Sequence, residues 1–321
     1  MINNVAIISG GSPDYLIDIV ADGMVRFLGH EKLYIKYFWL RPGAREDRRF
    51  RHLYASTISH ENRISFSECE ALIASVRVPI EWIARYKQRG GIVAILDGED
   101  SGELKDKYLK LADAYFKREC FLSGEYPVKV FNVPRGRRFV PCYHKKYPAN
   151  VFDLPFAVVP VICSSGDGDV QKTGNVFFAG GAGQKIRRQL EEMIVGIVGN
   201  STCMPNVLNM EEYAREVRRH WICVAPRGSG WDTYRYWEIP YFGSVLLCQK
   251  SELKIEDDFV HGESCLKFST VGEAKSLIEE FLQKKDKLSY IASKGKELVM
   301  SKHLSVHRAM KVWKIINSFV N

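Results

Sequence analysis

Two arginines and one glutamate within residues 221–247 have the charges and the spacing to bind a phosphorylated ligand. Arg227 follows a short apolar run, whereas Arg235 and Glu238 are three residues apart in a predicted helix and therefore share one helix face. Guanidinium groups and the free N–H groups of a helix start attract phosphate, and a carboxylate accepts hydrogen bonds from hydroxyl groups. A sugar nucleotide offers both partners, because its pyrophosphate lies beside a ribose.

The elements that would position these residues are a strand, a loop and a helix. Residues 221–225 (WICVA) are typical of a buried strand, and residues 226–231 form a turn that includes Gly228. Asp232 is suited to cap the helix that follows.

The simpler interpretation of Arg235 and Glu238 is an ion pair on a solvated helix face. It would be favoured if those two residues stood alone. Arg227, the loop glycines and the helix start converge on one end of a strand, however, and this convergence favours a ligand site.

A second glycine turn follows another predicted strand, at residues 175–179. Gly180 and Gly181 open this turn, and the helix that begins near Gln184 carries Arg187 among its basic residues. Glycines between a strand and a basic helix start allow a phosphate to approach the backbone closely. The pattern is only suggestive by itself, since glycine turns join strands to helices in many proteins.

Three carboxylates in the first half follow predicted strands. Residues 5–9 form a strand, Ser12 is suited to cap the next helix with Pro13 at its first position, and Asp14 lies at the helix start. In open α/β sheets this edge faces the ligand crevice, although a carboxylate that favours the helix dipole is an equally good interpretation of Asp14. Asp97 and Glu99 follow a buried strand in the same way.

Composition limits the class of protein. The chain has 321 residues, of which 46% are hydrophobic and 26% charged, so two globular domains are expected. The sequence has no apolar stretch long enough to span a bilayer and no signal-peptide pattern, which predicts a cytoplasmic protein. Eight cysteines are spread singly with no C-x-x-C pair, which argues against a zinc site and against disulfides.

The net charge of +8 is the unusual compositional feature. It is compatible with an anionic small ligand, with nucleic acid or an acidic glycan, and with peripheral contact at a membrane surface. The basic run at residues 41–52 is interpreted as solvated surface rather than an acceptor site.

The chain divides where its composition changes, in the small, polar and Gly-rich stretch 163–174. We predict an N-terminal domain over residues 1–165, a C-terminal domain over 175–305, and a last helix over 306–321 that packs back on the N-terminal domain. The pattern also predicts a helix over residues 67–75 and a strand over residues 194–198. Alternating strands and helices indicate an α/β class with doubly wound parallel sheets.

The C-terminal third resembles the second domain of GT-B glycosyltransferases, and most closely the CgeB-like group. The motifs are residues 235–243 (RYWEIPYFG), 259–263 (FVHGE) and 291–295 (IASKG), with His303 and Arg308 further on. The first half is more loosely similar to the N-terminal domain of the same family, through residues 14–29, 97–100 and 116–119.

This resemblance implies two Rossmann-like domains facing across a cleft, with a nucleotide-diphosphate sugar held mainly by the second. Arg227 and Arg235 match residues at the diphosphate, and Glu238 matches the carboxylate on the ribose. Glu263 would lie near the nucleotide or the sugar. Pro240 departs from a continuous helix, and its missing N–H should kink that helix or end it early.

Glycosyl transfer needs stabilisation of the departing diphosphate and, for inversion, a general base for the acceptor hydroxyl. The arginines and helix starts could supply the first without a metal ion or a permanently bound cofactor. Asp14, Asp97 and Glu99 are the candidates for the base.

Three functions remain open. The first is transfer to a glycan, lipid-linked or other hydroxyl acceptor in the synthesis of surface polysaccharide or glycoconjugate. The second is glycosylation of modified DNA bases, which the basic surplus permits but no nucleic-acid motif supports. The third is a nucleotide-sugar-binding protein without catalytic activity.

Overall fold

The computed structural model describes residues 1–12, 14–38, 62–129, 142–163, 170–180, 184–196, 201–204 and 208–320. The basic run 41–52 and the candidate residue Gly181 lie outside these ranges. We refer to residues 1–163 as the N-terminal half and to residues 170–320 as the C-terminal half.

Strands and helices alternate along both halves. The N-terminal half contains β1 (Val5–Ser9), α1 (Tyr15–Leu28), β2 (Leu33–Tyr37), β3 (Ala71–Ser75), α2 (Ile80–Gln88), β4 (Ile92–Asp97), α3 (Asp106–Leu109), β5 (Ala114–Lys117), β6 (Glu125–Lys129), β7 (Cys142–Lys146), β8 (Val151–Asp153) and α4 (Pro160–Cys163). The C-terminal half contains β9 (Gly174–Ala179), α5 (Lys185–Val195), β10 (Thr202–Met204), α6 (Met210–Arg219), β11 (His220–Ala225), α7 (Tyr234–Tyr241), β12 (Val245–Gln249), β13 (Leu266–Phe268), α8 (Val271–Leu282), α9 (Lys285–Lys302) and α10 (Ser305–Asn317).

Each half is built on one parallel sheet. Over the described residues the first sheet has the strand order β2-β1-β3-β4-β5-β8, and the second has the order β10-β9-β11-β12-β13. Every pairing within these two sheets is parallel, and β6 with β7 forms a separate antiparallel hairpin. This is the predicted α/β architecture with two doubly wound sheets.

Both faces of each sheet are covered by apolar packing. Because successive side chains of a strand point to opposite faces, neighbouring residues enter different clusters. In β1, Val5 and Ile7 enter one apolar cluster and Ala6 and Ile8 enter another. Side chains of β9 divide in the same way between two clusters. One cluster, which we call the central cluster, contains residues of both sheets, and hydrophobic packing therefore continues from one half into the other.

Two predicted elements are wrong. Residues 67–75 do not form a helix: a short 3-10 turn over Phe66–Glu68 leads into β3, whose side chains are all buried. A continuous apolar run buried on both faces has no period that separates strand from helix. The strand predicted from residue 194 is also wrong, since Ile194 belongs to α5 and is buried one helical turn after Leu190.

The predicted cap of α1 is also wrong by two residues. Asp14, not Ser12, occupies the N-cap position, and its carboxylate accepts hydrogen bonds from the N–H groups of Leu16 (3.1 Å) and Ile17 (3.5 Å). The carboxylate therefore does what helix-start carboxylates commonly do, which is to satisfy free backbone donors.

The last helix, α10, packs against α1 of the N-terminal half. Ser305 donates a hydrogen bond from its hydroxyl to the buried carboxylate of Asp22. Gly23 allows close approach, since a Cβ at that position would lie 2.2 Å from the carbonyl oxygen of Ser305 and 2.8 Å from the Cβ of Ala309.

We therefore expect Gly23→Ala to lower the free energy of unfolding by about 1–3 kcal/mol, because a methyl group must push the two helices apart. Gly272→Ala is the matched control: it also lies in a helix, its Cβ would have only a 3.9 Å neighbour, and it should raise stability by up to about 1 kcal/mol. Urea denaturation of both variants measures the difference. Equal changes in the two variants would contradict this packing argument.

Candidate functional site

Two loops of the C-terminal half leave the same edge of the second sheet. β9 and β11 are parallel neighbours, so the loops that follow Ala179 and Ala225 lie side by side. Gly180 opens the first loop with a φ of 147°, a conformation that favours glycine. Arg187 lies on α5 beyond the first loop, and Arg227 lies in the second.

Three guanidinium groups converge on these loops. Arg187 donates from Nε to the carbonyl oxygen of Arg227 at 3.0 Å. A Cβ on Gly180 would lie 2.8 Å from Nη1 of Arg187 and 3.9 Å from Cζ of Arg235, so both cations flank this glycine. A Cβ on Gly228 would lie 3.5 Å from Nη2 of Arg187. The fold thus brings together five residues that the sequence nominated from two separate loops.

Two of these arginines have a donor with no partner among the described residues. Among the described residues, the Nε atoms of Arg227 and Arg235 are buried and have no hydrogen-bond partner. Burial lowers the pKa of Arg187, and the nearby charge of Arg235 lowers it further. Buried donors without partners and neighbouring like charges are both unfavourable, so an anion bound here would relieve both costs.

Glu238 lies three residues after Arg235 on α7 and is half-buried. Burial raises the pKa of Glu238 to about 7, although the charge of Arg235 acts in the opposite direction. The carboxyl group is therefore close to half ionised at neutral pH. In its ionised form it accepts hydrogen bonds from hydroxyl groups through both oxygens.

The start of α7 differs from the prediction. Thr233, not Asp232, is the N-cap residue, and its side chain makes no capping hydrogen bond. The carboxylate of Asp232 instead accepts from the N–H of Phe156 at 2.6 Å and from the indole N–H of Trp237 at 2.8 Å. Because Phe156 belongs to the N-terminal half, Asp232 connects the two halves and leaves the helix start uncapped by a side chain.

Two tyrosines at the site were not predicted. The ring of Tyr213 lies 5.8 Å from the guanidinium carbon of Arg235, and the ring of Tyr234 stacks on Phe156 at 4.6 Å. In the part of the chain that the structure describes, both hydroxyl groups are buried without a hydrogen-bond partner. Neither tyrosine has a sequence signal that distinguishes it from a core aromatic residue, because the contact depends on how α6 and α7 pack.

Comparisons with known proteins identify the architecture. Residues 184–314 match the model of a family described as glycosyl transferase-like. Comparison with curated proteins found no significant match.

Solved structures match over almost the whole length. An alpha-glucosyltransferase in complex with UDP-glucose and DNA containing an abasic site is 11% identical, covers 98% of this chain and 99% of its own, and has a TM-score of 0.59. HepE from Anabaena in complex with UDP is 9% identical, covers 98% and 100%, and also has a TM-score of 0.59. A putative UDP-N-acetylglucosamine 2-epimerase from Listeria monocytogenes is 10% identical, covers 99% and 96%, and has a TM-score of 0.52.

The chain has the GT-B fold. The predicted fold class is therefore confirmed, and the glycosyl transferase-like match covers the segment on which the sequence resemblance was strongest. The narrower resemblance to the CgeB-like group stays a prediction.

In this GT-B chain two of the three candidate bases are buried and engaged. Asp97, fully buried, forms an ion pair with Lys117 at 3.1 Å and accepts a hydrogen bond from Tyr115. Asp14 caps α1 and accepts a hydrogen bond from Ser75, and burial raises the pKa of Asp14 against the lowering effects of Ser75 and Arg77. Both carboxylates are explained by structural roles, which argues against their reaching an acceptor hydroxyl.

Glu99 is the exception, because its side chain is 34% exposed. Nε of Arg77 lies 3.1 Å from its carboxylate and fixes its orientation. The adjacent Asp100 approaches the C-terminal half closely: a Cβ on Gly230 would lie 3.0 Å from Oδ1 of Asp100. Glu99 is therefore next to a residue that contacts the C-terminal half.

Glu263 lies in a different place from the arginines. It is exposed in the turn before β13 and lines a shallow groove with Asp257, Lys294 and Glu297. The expectation that it lies near the nucleotide finds no support in this geometry. The order of motifs along the chain does not determine at which edge of the sheet a turn lies, so the sequence could not predict this position.

Two further properties concern the described residues only. They contain no group of three or more His, Cys, Asp or Glu side chains placed to hold a metal ion. None of the helices that they form is both long enough and apolar enough to cross a membrane.

We expect Asp97→Asn to lower the free energy of unfolding by about 3–5 kcal/mol, because it leaves the buried Lys117 without its counter-charge. Glu99→Gln, a change of the same kind at a half-exposed carboxylate, should alter stability by no more than about 0.5 kcal/mol. Chemical denaturation of both variants provides the comparison. A small loss in the Asp97 variant would contradict the structural role assigned to that residue.

Proposed function

We propose that the protein transfers a sugar from a nucleotide-diphosphate sugar to an acceptor hydroxyl group. The observation that carries this proposal is the convergence of Arg187, Arg227 and Arg235 beside the start of α7. Nε of Arg227 and Nε of Arg235 are buried there with no hydrogen-bond partner among the residues that the structure describes. The glycosyl transferase-like match over residues 184–314 supports the same activity.

The donor would lie along the carboxyl edge of the second sheet. Arg227 and Arg235 would bind the diphosphate with Arg187, and Gly180 and Gly228 leave room for the guanidinium groups beside the backbone. Glu238 would accept hydrogen bonds from the ribose hydroxyls. The solved GT-B structures in complex with UDP or UDP-glucose support a uridine nucleotide as the first donor to test.

The chemistry that this site could perform is stabilisation of a leaving group. As the bond from the anomeric carbon to the diphosphate breaks, negative charge develops on the departing phosphate oxygen. Guanidinium groups that are already in position stabilise this charge without reorganisation, and we propose that they do so without a metal ion. The acceptor oxygen forms the new bond to the anomeric carbon and loses its proton.

For that proton we propose Glu99 as the general base. It is the only one of the three candidate carboxylates with a substantially exposed side chain, and the adjacent Asp100 lies close to Gly230 of the C-terminal half. A general base must come within hydrogen-bonding distance of the hydroxyl that it deprotonates, and an exposed carboxylate beside the contact between the two halves is open to such an approach.

The acceptor class that we favour is a hydroxyl group of a growing glycan or glycoconjugate. Transfer to DNA is the alternative that one structural neighbour suggests, since that enzyme was solved with DNA. Another structural neighbour is described as a putative epimerase, so transfer itself must be tested against epimerisation.

The first test measures nucleotide binding and its dependence on Arg235. A thermal-shift screen with UDP, GDP, ADP and dTDP should find one nucleotide that stabilises the protein by about 2.7 kcal/mol at 100 times its dissociation constant. Arg235→Gln should weaken the binding of that nucleotide about 10- to 100-fold, because a charged hydrogen bond of about 1.5–3 kcal/mol is lost. Arg188→Gln is the matched control, since Arg188 is exposed on α5 one residue beyond Arg187.

Product analysis with the corresponding nucleotide sugar then separates the activities. Release of the nucleotide with a new glycosidic bond supports transfer, whereas a changed sugar still attached to the nucleotide indicates epimerisation. A salt-sensitive gel shift on duplex DNA would favour the DNA acceptor. If none of the nucleotides binds, the proposal is wrong.

Donor affinity should also depend on pH through Glu238. Its pKa is about 7, so the group is mostly protonated at pH 6 and mostly ionised at pH 8. Protonation removes acceptor capacity for the ribose hydroxyls, and the dissociation constant should therefore rise up to about tenfold between pH 8 and pH 6. Calorimetric titration with a nucleotide sugar, whose phosphates do not titrate in this range, measures this effect.

Glu238→Gln is the control for the pH experiment. The amide cannot titrate, so the variant should bind more weakly at pH 8 but with little dependence on pH. A pH dependence of the same size in the variant would assign the effect to another group.

A further inference from the structure

Two adjacent charged residues of the N-terminal half contact the loop that precedes α7. Arg118 and Glu119 directly follow β5, and both are almost completely buried. The carboxylate of Glu119 accepts hydrogen bonds from the N–H groups of Trp231 at 3.1 Å and Asp232 at 3.0 Å. Arg118 donates from Nη1 to the carbonyl oxygen of Asp232 at 3.0 Å. Side chains of one half therefore hold the loop backbone of the other.

This loop also carries Arg227. The guanidinium group of Arg227 lies over the ring of Trp231, with 4.6 Å between the guanidinium carbon and the ring centroid. The loop is closed by a hydrogen bond from the N–H of Gly228 to the carbonyl oxygen of Gly230 at 2.9 Å. Trp231 thus contacts both residues: its N–H donates to Glu119, and its ring lies under Arg227.

The fit between the two halves is close at this point. A Cβ on Gly230 would lie 2.6 Å from Oε1 of Glu119 and 2.8 Å from Nη2 of Arg118. Only glycine allows the loop to approach these side chains without displacing them. Residues outside its own half therefore help to hold this loop in place.

We propose that Glu119 is a positioning residue for the donor site. It holds the backbone of Trp231 so that the indole ring supports Arg227 in the orientation that binds the diphosphate. The affinity of the C-terminal half for its nucleotide thereby depends on a carboxylate of the N-terminal half. This inference rests on the proposed function, because it assumes that Arg227 binds the donor.

A purely structural role is the alternative, in which Glu119 balances the buried charge of Arg118 and stabilises the contact between the halves. Both roles predict a lower melting temperature when Glu119 is changed. Only the positioning role predicts that the folded variant binds nucleotide more weakly. Binding measured well below the melting temperature therefore separates the two.

The experiment compares Glu119→Gln with Asp153→Asn. Asp153 is also a buried carboxylate of the N-terminal half that pairs with residues of the C-terminal half, namely Lys254 at 3.2 Å and Lys311 at 2.7 Å. Calorimetric titration with UDP should show binding roughly 2- to 30-fold weaker in the Glu119 variant and unchanged in the Asp153 variant. Hydrogen exchange without ligand should show faster exchange at residues 231 and 232 in the Glu119 variant only.

A double-mutant cycle with Arg227→Lys tests whether the effect passes through Arg227. If it does, the losses of UDP affinity should be clearly less than additive. An Arg227 that is already displaced contributes little to UDP binding, so replacing it costs little more. Fully additive losses would overturn the proposed route. Should Glu119→Gln fail to fold, Glu119→Asp keeps the charge, shortens the side chain and is measured in the same way.

The outcomes distinguish this inference from the proposed function. If the wild-type protein binds UDP and both carboxylate variants bind it equally well, Glu119 is not a positioning residue and the proposed function stands. If both variants lose affinity to the same extent, the cause is the general contact between the halves, which also overturns the inference. If the wild-type protein binds none of the four nucleotides of the screen, the proposed function and the inference fail together.

Discussion

Positive charge is concentrated at one edge of the second sheet, and the rest of the structure must offset the free-energy cost of this concentration. Arg187, Arg227 and Arg235 approach the same two loops, and burial together with the charge of Arg235 lowers the pKa of Arg187. Neighbouring cations raise the free energy of the fold, and so do the buried Nε donors of Arg227 and Arg235, which have no partner within the described ranges. Hydrophobic packing elsewhere must offset this cost, and the central cluster that spans both sheets is well suited to do so.

The cationic edge also needs a fixed frame, because binding a flexible diphosphate depends on where each guanidinium group points. Polar contacts between the halves supply this frame beside the hydrophobic packing. The segment after β5 pairs with the segment after β12: the N–H of Leu122 donates to the carbonyl oxygen of Glu252 at 2.8 Å, and the N–H of Lys254 donates to that of Cys120 at 2.7 Å. Movement of one half against the other would have to break these bonds.

Much of the site was predictable because parallel sheets have a simple rule. Residues that follow neighbouring strands meet at the carboxyl edge, and the strand-loop-helix patterns around Gly180 and Arg235 each indicated a turn suited to phosphate at such an edge. The same rule could not identify the partners of Asp97. The register of β4 and β5 places Asp97 opposite Lys117, and this pairing turns a candidate base into a buried ion pair. Register between strands is set by tertiary packing, which local sequence patterns do not contain.

Other failures have equally specific causes. The run ALIAS at residues 71–75 is buried on both faces and gives no alternation, so its period could not exclude a helix. Asp232 has the residue type of an N-cap but bonds across to Phe156, a partner far away in the sequence. Capping preferences describe how a side chain interacts with nearby backbone N–H groups. Here the carboxylate of Asp232 instead accepts from a buried N–H of the other half, which would be costly to leave without a partner.

The glycines show that a residue singled out for one physical reason can have another role in the fold. Gly180 was interpreted as room for a phosphate to approach the backbone, yet the space where its Cβ would lie is beside Nη1 of Arg187. Gly230 leaves room in the same way for Glu119. At both positions the absent side chain makes space for a charged group of the protein itself. Glycine at this sheet edge therefore acts on the protein and not directly on the ligand. It lets the charged side chains that surround the proposed donor site lie close against the backbone.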